Sequence, residues 1–217
     1  MFGKPSRFHR IKAFLYEDKL KKPDIVIVYR KVRKLISVKT NSSQHVHMES
    51  IKSFILFLRE LGLSTESQKD ILLYQYGDGT LNGTGKERID FPEILYAYEN
   101  EILRFNKEIN SNKDLVIKCM NRFIFQGTSK DNEIVDYIYH GDLDIGILCS
   151  REQILKHISR RSFDKLKNPH IGPLLFFPYA RYANKNIAEL HPEKRHFVNL
   201  KWPKLPIDLR YIERTYD

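Results

Sequence analysis

Pro23-Asp24 followed by the unbroken run Ile25, Val26, Ile27, Val28 and Tyr29 constrains this chain more than any other segment. Proline disfavours the helical conformation in the residue before it, so a preceding helix ends by Lys22. Five consecutive β-branched and aromatic residues then read as a strand buried on both faces. The basic stretch Arg30-Lys31-Val32-Arg33-Lys34 marks a hairpin tip, and Leu35 to Thr40 the return strand. Antiparallel pairing brings Asp24, at the mouth of the first strand, and Lys39, near the end of the second, to one edge of a sheet. A carboxylate and an amine converging there are parts that hold a divalent metal and poise a water against a phosphodiester.

The rest of the chain narrows the class. Its 217 residues suffice to bury a substantial core, and 41% hydrophobic with 12% aromatic residues fits a globular protein. No apolar run reaches the roughly 18 residues that span a bilayer, which argues against a membrane protein. Met1 to Arg7 lacks the apolar core of a signal peptide, and Cys119 and Cys149 are the only cysteines. Two reduced, buried thiols in a cytoplasmic protein are therefore expected. The net charge of +10 is uneven: residues 1–40 carry twelve Lys and Arg against three acids, residues 41–150 eleven against seventeen, and residues 151–217 fourteen against seven. Two basic ends around an acidic middle favour a polyanion partner, nucleic acid ahead of a membrane surface.

Periodicity predicts a helix over 6–20, the hairpin just described, and a helix from about His47 that uses Ile51, Phe54, Ile55, Leu58 and Leu61. Ile71–Tyr76, 115–126, 134–139, 144–149 and 174–179 read as strands, and 91–109 as a long amphipathic helix. Ser150-Arg151-Glu152-Gln153 has capping-box spacing and opens a helix to about Arg160. Beyond Tyr179 the proline-rich, charged sequence gives no assignment. With no repeat or linker in view, residues 1–217 read as one domain of the α/β class, a mixed central β-sheet flanked by helices.

Three motifs fail on their chemistry. The loop Gly77 to Lys86 has Thr80 where a phosphate loop starts with glycine, and Glu87 where that loop needs Ser or Thr, so a mobile surface loop is the better reading. His140-Gly141-Asp142 suggests a small-molecule kinase, but Ile147 stands where a metal-binding Asn belongs; Asp142 and Asp144 suit a turn between strands. His45, His47 and Glu49 alternate in a way that shares a face only in a strand, whereas the predicted element there is a loop entering a helix.

Pro23-Asp24, the short hairpin and Lys39 resemble the active site of the PD-(D/E)XK nuclease superfamily, over roughly residues 6–62. That family places an acid two residues before the lysine, and here Ser37 takes its place. Some of its restriction endonucleases have Ser-Val-Lys and draw the second acid from the following helix, which points to Glu49. The resemblance implies a restriction-endonuclease-like core and a Mg2+-dependent DNA endonuclease of type II restriction-enzyme type. Asp24, Glu49 and the Val38 carbonyl would hold the ion, Lys39 would stabilise the phosphate's charge, and Ser37 would hydrogen-bond to water or Glu49. Arg30, Lys31, Arg33, Lys34, Gln44 and His47, with Arg160, Arg161, Arg181, Asn184 and Lys185, are the expected contacts to DNA, duplex being favoured. On this reading 151–217 is a DNA-contacting elaboration, and cutting both strands suits a homodimer. The alternative is a non-catalytic or regulatory nucleic-acid-binding module on the same fold.

Overall fold

A computed structural model describes residues 10–18, 21–40, 44–85, 87–142, 144–163, 167–179, 183, 187 and 190–216. The protein is α/β, with a mixed five-stranded sheet and an antiparallel four-stranded sheet. Two compact units contain them, Met1–Ser43 with Met120–Arg160 and Lys204–Asp217, and Gln44–Cys119 with Arg161–Pro203. Elements are numbered in chain order.

The first unit holds strands β1 (Lys12–Leu15), β2 (Ile25–Tyr29), β3 (Val32–Lys39), β5 (Tyr137–Gly141) and β6 (Gly146–Ser150), in the order β1-β2-β3-β5-β6. All neighbours are antiparallel except β3 and β5, which run parallel with Ser37 beside Ile138 and Lys39 beside His140. Asp136 fixes that register. Its backbone N–H donates to the Leu35 carbonyl, its Oδ2 accepts from the Leu35 N–H, both at 2.9 Å, and its Oδ1 meets the Lys34 ammonium at 3.0 Å.

Alternation along the strands places Val26, Leu35, Ile138 and Cys149 on one face, and all four are buried. Helix α7 (Leu205–Tyr216) packs against this sheet: the Cys149 thiol donates to the Leu209 carbonyl at 3.4 Å, and Leu205, Leu209 and Ile212 are buried. Helix α6 (Arg151–Ser159) begins where the sequence places it. The Ser150 hydroxyl accepts from the Gln153 N–H at 3.1 Å, and the Gln153 side chain accepts from the Ser150 N–H at 2.8 Å, completing the capping box.

The hairpin between β2 and β3 is closed by the Tyr29–Val32 pair, so its loop is just Arg30 and Lys31. Both have positive φ, 50° and 66°, the signature of a type I′ turn, a place that favours Asn-Gly. Left-handed backbone costs a side-chain-bearing residue about 1–2 kcal/mol.

The second unit holds β4 (His45–Ser50), β7 (His170–Ile171), β8 (Leu174–Pro178) and β9 (Phe197–Lys201), in the order β4-β9-β8-β7. Its helices are α1 (Ile51–Glu60), α2 (Thr65–Tyr76), α3 (Phe91–Ala97), α4 (Glu99–Ser111) and α5 (Lys113–Met120). Phe176 on β8 lies at the centre of its core, with ring centroids 5.2 Å from Phe54 and 5.6 Å from Tyr74.

Several expected elements change type. Lys12–Leu15 is an exposed strand rather than part of a helix, and residues 6–9, 19 and 20 lie outside the described residues. Ile71–Tyr76 closes helix α2, because the Ser64 hydroxyl caps its start and Gly77, at φ 60°, ends it. The predicted strand 115–126 is helical: the Asn112 side chain accepts from the Asp114 and Leu115 N–H groups, and a π-helical turn (Asn121–Gln126) stands over the second half. The long helix over 91–109 breaks into α3 and α4 at Tyr98. Helix α1 starts at Ile51, and the residues before it form β4.

Candidate active site

At the entry of β2 the ladder gains one more bond, the Asp24 N–H donating to the Ile36 carbonyl at 2.8 Å. Asp24 thus stands opposite Ser37, and alternation puts Asp24, Ser37 and Lys39 on one face of the sheet. The Asp24 Oδ2 accepts from the Val38 N–H at 2.6 Å and from the Ser37 hydroxyl at 3.1 Å. Oδ1 makes no hydrogen bond with a described residue, and the residue is exposed. Ser37, fully buried, therefore holds the acid in place instead of replacing one.

Lys39 is half-buried. Burial pushes its ammonium below the ordinary lysine range, while the negative charge of Asp24 pulls it back up. Asp24→Asn should remove the raising influence and leave burial alone, so the Lys39 amine should titrate at lower pH than in the wild type. A side-chain NMR titration of the metal-free protein measures this, and an unchanged midpoint would break the electrostatic link between the two residues.

His140, which the sequence offers only within a kinase-like motif that fails, joins this constellation. It pairs with Lys39 across the parallel strands, on the same face, and is 5% exposed. Burial lowers its pKa, favouring the neutral imidazole. No side chain among the described residues hydrogen-bonds to it. The expected turn at Asp142 is present, with Oδ1 accepting from the Asp144 and Ile145 N–H groups at 3.0 and 2.8 Å. Strand β5 extends two residues nearer that turn than its pattern suggests, which takes His140 into the sheet. Asp24, Ser37, Lys39 and His140 gather at the carboxyl ends of the parallel pair β3 and β5, the edge where open α/β sheets bind ligands.

Glu49 belongs to the other unit, on β4. It is buried beside His47, with Oε1 3.2 Å from the imidazole Nε2. These two alternate positions do share a face, because the segment is a strand; a register shift between His45 and His47 removes His45 from the row. His47 is thus placed in the interior and not at a phosphate-accessible surface. Among the described residues no three His, Cys, Asp or Glu side chains form a metal-holding group.

The expected cations divide. Arg33 is held by Glu133, whose carboxylate also accepts from the Tyr16 hydroxyl at 2.7 Å. Lys34 is held by Asp136. Arg30 and Lys31 are exposed and form no ion pair with a described residue; the Arg30 guanidinium lies 5.0 Å from the centre of the Tyr29 ring. Gln44 is exposed and its carbonyl accepts from the Trp202 N–H. Arg160 lies over the Tyr216 ring, and Arg161 over Phe163. Arg181, Asn184 and Lys185 lie outside the described residues. The Gly77–Gly85 loop folds around the Asp78 carboxylate. Thr80 N–H and Oγ1 donate to Asp78 Oδ1 and Gly85 N–H to Oδ2, so these amides serve the protein's own carboxylate.

A scan against protein-family models and a search of curated proteins return no match to this chain.

Proposed function

We propose that the protein is a Mg2+-dependent DNA endonuclease of type II restriction-enzyme type, acting in the cytoplasm on duplex DNA, with a homodimer as the form that cuts both strands. The observation that carries this reading is the convergence of Asp24, Ser37 and Lys39 on one face and one end of the mixed sheet. Magnesium is commonly held by one or two carboxylates together with waters and substrate phosphates, so the outward-facing Asp24 fits such an ion. Asp24 and the Val38 carbonyl would hold it, with waters and substrate phosphates completing its shell. Bound there, the ion would supply a more acidic water and counter the phosphate's charge.

The chain's own residues carry the remaining work. Ser37 and the Val38 N–H hold Asp24 in one orientation. Lys39 presents a positive charge, partly removed from water, to the phosphate as negative charge develops on it. His140 is the buried neighbour of Lys39 across the parallel strands.

Incubating purified protein with plasmid should yield linear or nicked product in Mg2+ and none in EDTA. Salt-sensitive binding without any cleavage would instead support the second reading, a nucleic-acid-binding module. That alternative draws on the lack of a three-ligand metal group among the described residues. No helix among the described residues is long and apolar enough to cross a membrane.

A further inference from the structure

The β2–β3 turn sets two cations where the backbone favours glycine. Arg30 and Lys31 occupy both central positions of a two-residue loop at positive φ, where Asn-Gly would relieve the strain. Strain held at a surface turn points from the outlier to a use for the residues that carry it. Neither cation forms an ion pair with a described residue, unlike Arg33 and Lys34 on β3, although the Arg30 guanidinium lies 5.0 Å from the centre of the Tyr29 ring. Lys12, exposed and opposite Val28 on β1, adds a third positive charge at this end of the sheet.

The turn and the candidate active site lie at opposite ends of β3. From Val32 to Lys39 the strand runs ~23 Å at about 3.3 Å per residue. A mononucleotide cannot reach both ends. A duplex can, since that length corresponds to about seven phosphates along one strand at roughly 3.4 Å each.

We propose that the Arg30-Lys31 turn is a remote grip on the phosphate backbone of duplex DNA, kept cationic at the expense of turn stability. This rests on the nucleic-acid reading given above and adds a second anchoring point to it. The grip is independent of sequence, because it meets phosphates and no base edges.

Two double variants test it, by anisotropy of a labelled 24-base-pair duplex in a salt series and by thermal melting. Arg30→Asn/Lys31→Gly should raise the thermal midpoint by about 2–4 °C. It should also reduce the steepness of log K against log salt by about 2, one for each phosphate that the turn no longer holds. Arg30→Gln/Lys31→Gln, which removes charge but keeps side chains at positive φ, should reduce the slope equally without the gain in melting temperature. Wild-type slopes in both variants would overturn the grip while leaving duplex binding intact. A slope reduced in the first variant but not the second would overturn it too, by tracing the effect to turn geometry. Salt-independent or absent binding by the wild type would overturn the nucleic-acid reading itself, and the grip with it.

Discussion

Lys39→Met should lower the rate of Mg2+-dependent DNA cleavage about 100- to 1,000-fold, the usual loss when a charge-stabilising group is deleted from a reacting centre. Methionine keeps much of the lysine stem's packing, so the half-buried position stays filled. The same variant should melt no lower than the wild type. Burial lowers the Lys39 pKa, so the folded state binds this proton less well than the unfolded state does. Stability contributed by that difference rises as pH climbs from the folded value toward the ordinary lysine value, and below both values the folded protein carries the penalty. A neutral side chain removes the penalty. Single-turnover cleavage and thermal melting together make the test, and wild-type cleavage by Lys39→Met would end the catalytic reading of this site.

Phe176→Ala should be the most damaging substitution for stability in the second unit, costing about 3–5 kcal/mol. Phe176 is completely buried, and the rings of Phe54 and Tyr74 converge on it from α1 and α2. Its carbonyl also accepts from the Tyr74 hydroxyl at 3.3 Å, so truncation leaves a cavity beside a polar group that depends on local packing. Denaturant unfolding followed by far-ultraviolet circular dichroism measures the loss. A change under about 1 kcal/mol would mean that the core closes around the missing ring.

What could be read from the chain was local. Pro23-Asp24 and the β-branched run announced β2, the short basic stretch announced its hairpin, and Ser150 with Gln153 announced the start of α6. The α/β class followed from these alternations. The failures came where short apolar runs suit either structure. Ile71 to Tyr76 alone reads as a strand, but the Ser64 cap and the Gly77 stop make it the end of a helix. His45 to Ser50 lacks an apolar alternation, and its strand exists because β9 pairs with it from about 150 residues away.

The site was half legible for the same reason. Asp24 and Lys39 are joined by a hairpin, so their meeting is a local event. His140 reaches Lys39 through a parallel pairing that spans the intervening second-unit segment, and no local pattern encodes it. Arg33 and Lys34 looked available because Glu133 and Asp136, their partners, lie about a hundred residues on. Charge counts along a sequence register cations but not the acids that the fold brings to them.

The discontinuous first unit also sets an order of events during synthesis. The β2–β3 hairpin can form early, yet β5 and β6 must emerge before Lys39 gains its neighbour. The buried face stays uncovered until Leu205–Tyr216 leaves the ribosome and α7 docks on β6. Assembly therefore depends on long-range loop closure, which slows folding and leaves an apolar sheet exposed to chaperones or aggregation in the meantime. The covered face of this sheet is thus completed by a helix that lies about sixty residues beyond β6 in the chain.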